Sequence, residues 1–140
     1  LLAEQAVMNK FTITTEIPTS PKKIFDAWLD GKQHGAMTQS PATATNEIAG
    51  IFTAHDGYIN GINLELDDGK RILQTWRTTE FEGSDPDSSI EITLERIDTG
   101  TKLTLRHWNI PDDQADGYES GWQDFYFTPM IDYFSNGASE

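Results

Sequence analysis

Three histidines are the first residues to examine for chemistry: His34, His55 and His107. They lie 21 and 52 residues apart, a spacing that matches no metal-ligand motif. The acidic stretch "DDQADGYES" (112–120) lacks the alternating oxygen ligands of a calcium loop, and "EGSDPD" (82–87) reads as a solvated turn. There is no cysteine, which excludes disulfides, thiolate catalysis and thiolate metal ligation. No Gly-x-Ser-x-Gly elbow and no glycine-rich phosphate loop is present. The sequence therefore assigns no catalytic residue, no metal site and no cofactor. What remains are polar side chains set among apolar ones. In "KRILQTWRTTEF" (70–81), one side of an extended chain carries Ile72, Gln74, Trp76 and Thr78, and the other Leu73, Thr75, Arg77 and Thr79. Gln74 is either a core amide bonded to a neighbouring side chain, backbone group or water, or a polar group in a cavity wall.

Positioning such residues requires a framework. The chain has 140 residues, enough for one domain. Its 4 Trp, 4 Tyr and 7 Phe supply a core despite the acidity. The net charge of −13 opposes nucleic acid and anionic membranes, and no Lys/Arg run offsets it. No apolar run approaches the ~20 residues that span a bilayer. A cysteine-free chain fits the cytoplasm. "LLAEQAVMNK" lacks the basic end and long apolar stretch of a signal peptide. Residues 1–8 are expected to form an N-terminal extension, with Met8 a candidate natural start, and 9–136 a single domain.

"FTITTEI" (11–17) alternates as a half-buried strand. In "PTSPKKIFDAWLDG" (18–31), Ser20 is the expected N-cap, Pro21 the first helical residue and Gly31 the stop. A further helical turn is expected within 32–42. Strands are then expected over 43–48, 50–55, 58–66, 70–80, 89–97 and 102–109, separated by Gly- and Asp-rich turns. The terminal stretch carries Tyr118, Trp122, Phe125, Tyr126, Pro129 and Tyr133 on one stripe, widened by Phe127, Met130, Ile131 and Phe134. Such a helix is mostly buried. Pro129 should loosen it, because proline cannot bond to the carbonyl of Phe125. Asn136-Gly137 can supply its C-terminal cap. A curved antiparallel sheet around this helix is the simplest assembly, with a hollow between the two.

Four stretches carry a family resemblance: "IPTSPKKIFDAWLDGKQHGAMTQSPA", "DGYINGINLEL" with "KRILQTWR", "GTKLTLRHWNIP", and "GWQDFYFTPMIDYF". Together they resemble the START/Bet v I-like helix-grip (SRPBCC) superfamily. Within it they resemble the Aha-type family, named for the C-terminal domain of the activator of heat-shock protein 90 ATPase. The resemblance implies an α+β helix-grip fold: about six or seven antiparallel strands around a long C-terminal helix, with two short helices after the first strand. It also implies inward-facing residues. They are Tyr58, Ile62 and Leu64 on one strand, Gln74 and Trp76 on the next, and Ile92, Leu105 and His107 further on. Trp122 and Phe125 would close the cavity from the helix. Its leading functional implication is a small hydrophobic ligand, lipid-like or polyketide-like. The alternatives are a co-chaperone-like or stress-related interaction protein that binds a chaperone, and a cyclase-like enzyme using His107 with Tyr58 or Gln74. Trp108 and part of the terminal helix are a candidate homodimer surface.

Overall fold

The computed structural model describes residues 9–135. The extension, Met8 and the Asn136-Gly137 cap lie outside the described residues. The element order is β1 (Phe11–Ile17), α1 (Pro21–Trp28), α2 (Gly31–Thr38), β2 (Ile51–Ala54), β3 (Ile59–Asp67), β4 (Arg71–Thr78), β5 (Ser88–Ile97) and β6 (Gly100–Trp108). The C-terminal helix follows as α3 (Ala115–Trp122), a π turn (Gln123–Phe127) and α4 (Thr128–Ser135). The six strands form one antiparallel sheet in the order β1-β6-β5-β4-β3-β2. With its helices, this is the α+β helix-grip fold.

Local chemistry explains the boundaries. Ser20 Oγ accepts from the Lys23 amide at 3.3 Å, and Pro21 opens α1 with its fixed φ and no amide to leave unpaired. Gly31 does not stop α1: that helix closes at Leu29, and Gly31 begins α2. The expected strand over 43–48 is reduced to one bridge, Thr43 to Thr53. The rest of that segment turns back over β3, where Asn63 Nδ2 donates to the carbonyls of Thr45 (2.7 Å) and Glu47 (2.9 Å). A side-chain amide there does what a partner strand would otherwise do.

Alternation reads correctly on β5 and β6. Ile90, Ile92, Leu103 and Leu105 are buried, as is Ile72 on β4. Each such side chain stabilises by about 1.5–3 kcal/mol relative to exposure. They share the core with Phe127, Met130 and Phe134 from the C-terminal helix. On the outer face, Glu91 joins Arg71 (2.5 Å) and Arg106 (2.7 Å), and Arg71 also meets Glu65 (2.6 Å).

β3 departs from the expected faces. Ile62 and Leu64 point outward, 38% and 42% exposed, while Ile59, Gly61 and Asn63 are buried. The inward side of β3 has no room for a large side chain at 61. A Cβ on Gly61 would sit 2.0 Å from the Thr75 carbonyl oxygen and 2.5 Å from the Phe52 ring. A register shift between Asn63 and Glu65 then ends the simple alternation.

Pro129 has the foreseen effect in a specific form. The helix widens immediately before it, and the Thr128 amide reaches back five residues to the Gln123 carbonyl. Widening gives the proline ring space that the Phe125 carbonyl would occupy in a regular turn.

Candidate functional site: an aromatic cavity beneath the C-terminal helix

A cavity of about 380 Å³ lies between the sheet and the C-terminal helix. β3 and β4 contribute Ile59 and Trp76, and the helix contributes Tyr118, Gly121, Trp122, Phe125 and Tyr126. The β2–β3 turn adds His55 and Tyr58. Most of the wall is aromatic. Trp76 lies 5.8 Å from Trp122 and 4.9 Å from Tyr118, centre to centre, and Trp122 lies 4.7 Å from Tyr126.

The tyrosine hydroxyls of this wall are tied to protein. Tyr118 Oη meets Thr78 Oγ1 at 2.7 Å and donates to Gln114 Oε1 at 2.5 Å. Tyr58 Oη donates to the Glu80 carboxylate. Burial, followed by that neighbouring carboxylate, raises the Tyr58 hydroxyl well above the ordinary phenol range. Tyr126 is also raised, by burial. Its hydroxyl meets His34 Nε2 at 2.8 Å, while His34 Nδ1 faces the Trp28 carbonyl at 2.9 Å. A carbonyl can only accept, so Nδ1 carries the His34 proton and Tyr126 donates to Nε2.

His107 is fixed by the same logic. The Trp122 indole N–H donates to His107 Nδ1 at 3.1 Å. The proton is therefore on Nε2, which donates to Ser88 Oγ at 2.9 Å, and Ser88 donates to the Trp76 carbonyl at 2.6 Å. This chain links helix, β6, β5 and β4. Burial lowers the pKa of His107 from 6.5 to about 3, so it is neutral and has no free lone pair with which to take a proton.

The expected site residues separate into groups. Tyr58, Trp76, Trp122 and Phe125 line the cavity, with Phe125 at its mouth and 62% exposed. Gln74, Ile92, Leu105 and His107 face inward but are buried in the layer around it, outside the lining. The Gln74 amide is answered by two side chains, Trp28 and Asn63. Ile62 and Leu64 are on the outer face, because glycine and asparagine hold the inner positions of β3. Of the groups named for cyclase-like chemistry, Tyr58 lines the cavity and is paired with Glu80, while Gln74 is paired with Trp28 and Asn63 and His107 with Trp122 and Ser88.

Sequence reasoning did not place His55, Ile59, Tyr118, Gly121 or Tyr126 in the wall. Tyr118 and Tyr126 were visible on the helical stripe, one turn either side of Trp122. His55 was not reachable by parity. Phe52 and Ala54 are the buried residues of β2, and alternation would send residue 55 outward. The backbone instead enters the left-handed region at His55 (φ 51), Asp56 (φ 58) and Gly57 (φ 87), which returns the imidazole to the Phe125 and Tyr126 rings.

A curved antiparallel sheet closed over a ring-lined hollow by a C-terminal helix defines a helix-grip protein. The chain belongs to the family described as "Activator of Hsp90 ATPase homolog 1-like protein", whose model matches residues 18–135. It is 32% identical over 110 residues to an activator of 90 kDa heat shock protein ATPase homolog from Dictyostelium discoideum, covering 77% of this chain and 28% of that protein. It is 29% identical over 131 residues to the human activator of 90 kDa heat shock protein ATPase homolog 1, covering 92% of this chain and 38% of that protein. The chain thus spans about a third of the length of these relatives. In fold it resembles the crystal structure of an HSP90 activator from Plasmodium falciparum, with a TM-score of 0.79 at 22% identity, covering 91% of this chain and 96% of the other. Among the described residues, no helix is long and apolar enough to cross a membrane.

Proposed function

We propose that this domain binds a small, mainly apolar molecule in the cavity between its sheet and its C-terminal helix. One observation carries the reading: a hollow of about 380 Å³ between the sheet and the C-terminal helix is walled by six aromatic side chains. Ligand sites of ~300–1,000 Å³ with apolar walls and few polar groups are the usual form of a small-molecule pocket. The mechanism is enclosure, in which each Å² of apolar ligand surface removed from water contributes about 25 cal/mol before the costs of ordering. Native mass spectrometry of freshly purified protein tests it, with a retained small molecule as the expected result. The same spectrum reads the oligomeric state and so tests the proposed homodimer. Absence of any adduct, together with no saturable binding of an apolar fluorescent probe, overturns the reading.

A second reading, a chaperone-binding interaction protein, is favoured by the relatives, which are described as activators of a heat-shock protein ATPase. The charge of −13 suits a partner with a basic face. Capture of an Hsp90-type chaperone on immobilised protein, weakened at raised salt, is the expected result. Failure to capture it at low salt removes this reading.

A further inference from the structure

His55 is the unusual member of the cavity wall. Its Nε2 is buried and has no hydrogen-bond partner among the described residues. An unanswered buried polar atom of this kind destabilises the fold until something pairs with it. It is held in place by three successive residues with left-handed backbone, the first two of them not glycine, and strain of that sort concentrates at functional positions. The ring stands edge-on to Tyr126, 5.1 Å away at 86°, and to Phe125, 6.1 Å away at 73°. Phe125 is 62% exposed, so its ring can swing outward from the imidazole with little loss of buried contact. Trp76 brings a second ring N–H to the residues that line the wall. The Trp28 and Trp122 indoles donate to Gln74 and His107, but the Trp76 N–H makes no hydrogen bond to another described residue.

The remaining chemistry of the wall narrows what these groups can meet. No Lys, Arg, Asp or Glu is among the lining residues. Glu80 sits beside Tyr58, and the chain carries −13 overall. A carboxylate or phosphate entering here would lose its water and gain no cation. Flat ligands, by contrast, meet ring faces and edges in the offset and T-shaped arrangements that aromatic pairs favour. A hydroxyl group both donates and accepts, so it answers His55 in either tautomer and offers its oxygen to an indole N–H.

We propose that the cavity selects an uncharged, planar aromatic molecule bearing a hydroxyl group, with His55 as its polar anchor and the Phe125 ring as the cover that ligand entry displaces. This rests on the cavity being a ligand site and adds the class of ligand it takes.

Three probes of one shape test it: 2-naphthol, naphthalene and 2-naphthoate, titrated into the full chain by calorimetry. His55→Gly is the informative variant, because glycine adopts the left-handed turn without strain. One hydrogen bond is worth about 3–10-fold in affinity, so His55→Gly should weaken 2-naphthol by about 3–10-fold more than it weakens naphthalene. Loss of ring packing cancels in that comparison. In the unsubstituted protein, 2-naphthol should also shift the His55 Nε2 nitrogen resonance where naphthalene does not, and 2-naphthoate should bind weakest. Equal weakening of 2-naphthol and naphthalene overturns the anchor while leaving the cavity as an apolar site. Tightest binding of 2-naphthoate overturns the uncharged class. If none of the three binds folded protein, the cavity reading itself falls and this inference with it.

Discussion

Gln74 and Asn63 face each other in register across β4 and β3, and the Gln74 amide nitrogen donates to Asn63 Oδ1 at 2.8 Å. On its other side, Gln74 Oε1 accepts the Trp28 indole N–H at 3.2 Å. Asn63 uses its own amide nitrogen on the 45–47 loop. Two buried amides thus join α1, the sheet and that loop, both about 1% exposed. Gln74→Leu keeps the volume but leaves Trp28 Nε1 and Asn63 Oδ1 unanswered. Each such orphan costs about 1–3 kcal/mol. Urea unfolding should show a large drop in midpoint with the cavity still formed; an unchanged midpoint would contradict the network.

Gly121 allows the cavity to be closed from the helix side. A Cβ added there meets only Phe125 Cδ2, at an ordinary 3.8 Å. Gly121→Leu should therefore fill the hollow without straining the backbone. Replacing a helical glycine also gains up to about 1 kcal/mol of helix propensity. The expected result is a thermal midpoint that is level or raised, with binding of an apolar fluorescent probe reduced at least tenfold. Retained binding at full affinity would move the ligand site elsewhere.

His34 and His107 should make the fold acid-sensitive. Burial lowers His34 to about 4 and His107 to about 3, against an ordinary value near 6.5. Both are neutral when folded and gain a proton on unfolding. Their stabilising contribution is fully present above about pH 6.5 and is lost as pH falls toward 4 and then 3, because the unfolded chain binds more protons across that window. Each imidazole contributes a slope of roughly 1.4 kcal/mol per pH unit there. Urea midpoints taken between pH 7 and pH 5 should fall accordingly. Carbon-bound ring protons of both histidines should show no titration in folded protein at pH 5, and titration there would refute the assignment.

Gly61→Ala tests the inward face of β3. Its methyl group would lie 2.0 Å from the Thr75 carbonyl oxygen and 2.5 Å from Phe52. Backbone cannot yield to that extent without loss of pairing between β3 and β4. Overpacking of this kind costs typically about 1–3 kcal/mol, and here more because the atom in the way, the Thr75 carbonyl oxygen, is backbone. Thermal unfolding should report the loss, and hydrogen exchange should localise it to β2, β3 and β4.

The parts legible in the sequence were those where one residue type serves one purpose. Ile90, Ile92, Leu103 and Leu105 are apolar because they are buried, and Ser20-Pro21 is a helix start for local reasons. The sequence misled where a polar or small residue took the inside. Ile62 and Leu64 look like core, yet the interior positions of β3 belong to Gly61, which admits the Phe52 ring, and Asn63, which serves a loop distant in sequence. The cavity was half legible. Trp76 and Trp122 belong to elements with clear periodicity, whereas His55 reaches the wall through turn geometry that alternation does not encode.

The π turn before Pro129 has a consequence for the whole C-terminal helix. Tyr118, Trp122, Tyr126, Met130 and Phe134 are all buried, and they recur every four residues. In a regular α-helix each residue advances ~100°, so a four-residue step overshoots a full turn by ~40°. Four such steps would carry Phe134 ~160° away from Tyr118, nearly to the opposite side. The wide turn winds back much of that excess by absorbing about one extra residue. It acts as a phase correction, letting a single rod keep its first half against the cavity and its second half against the core.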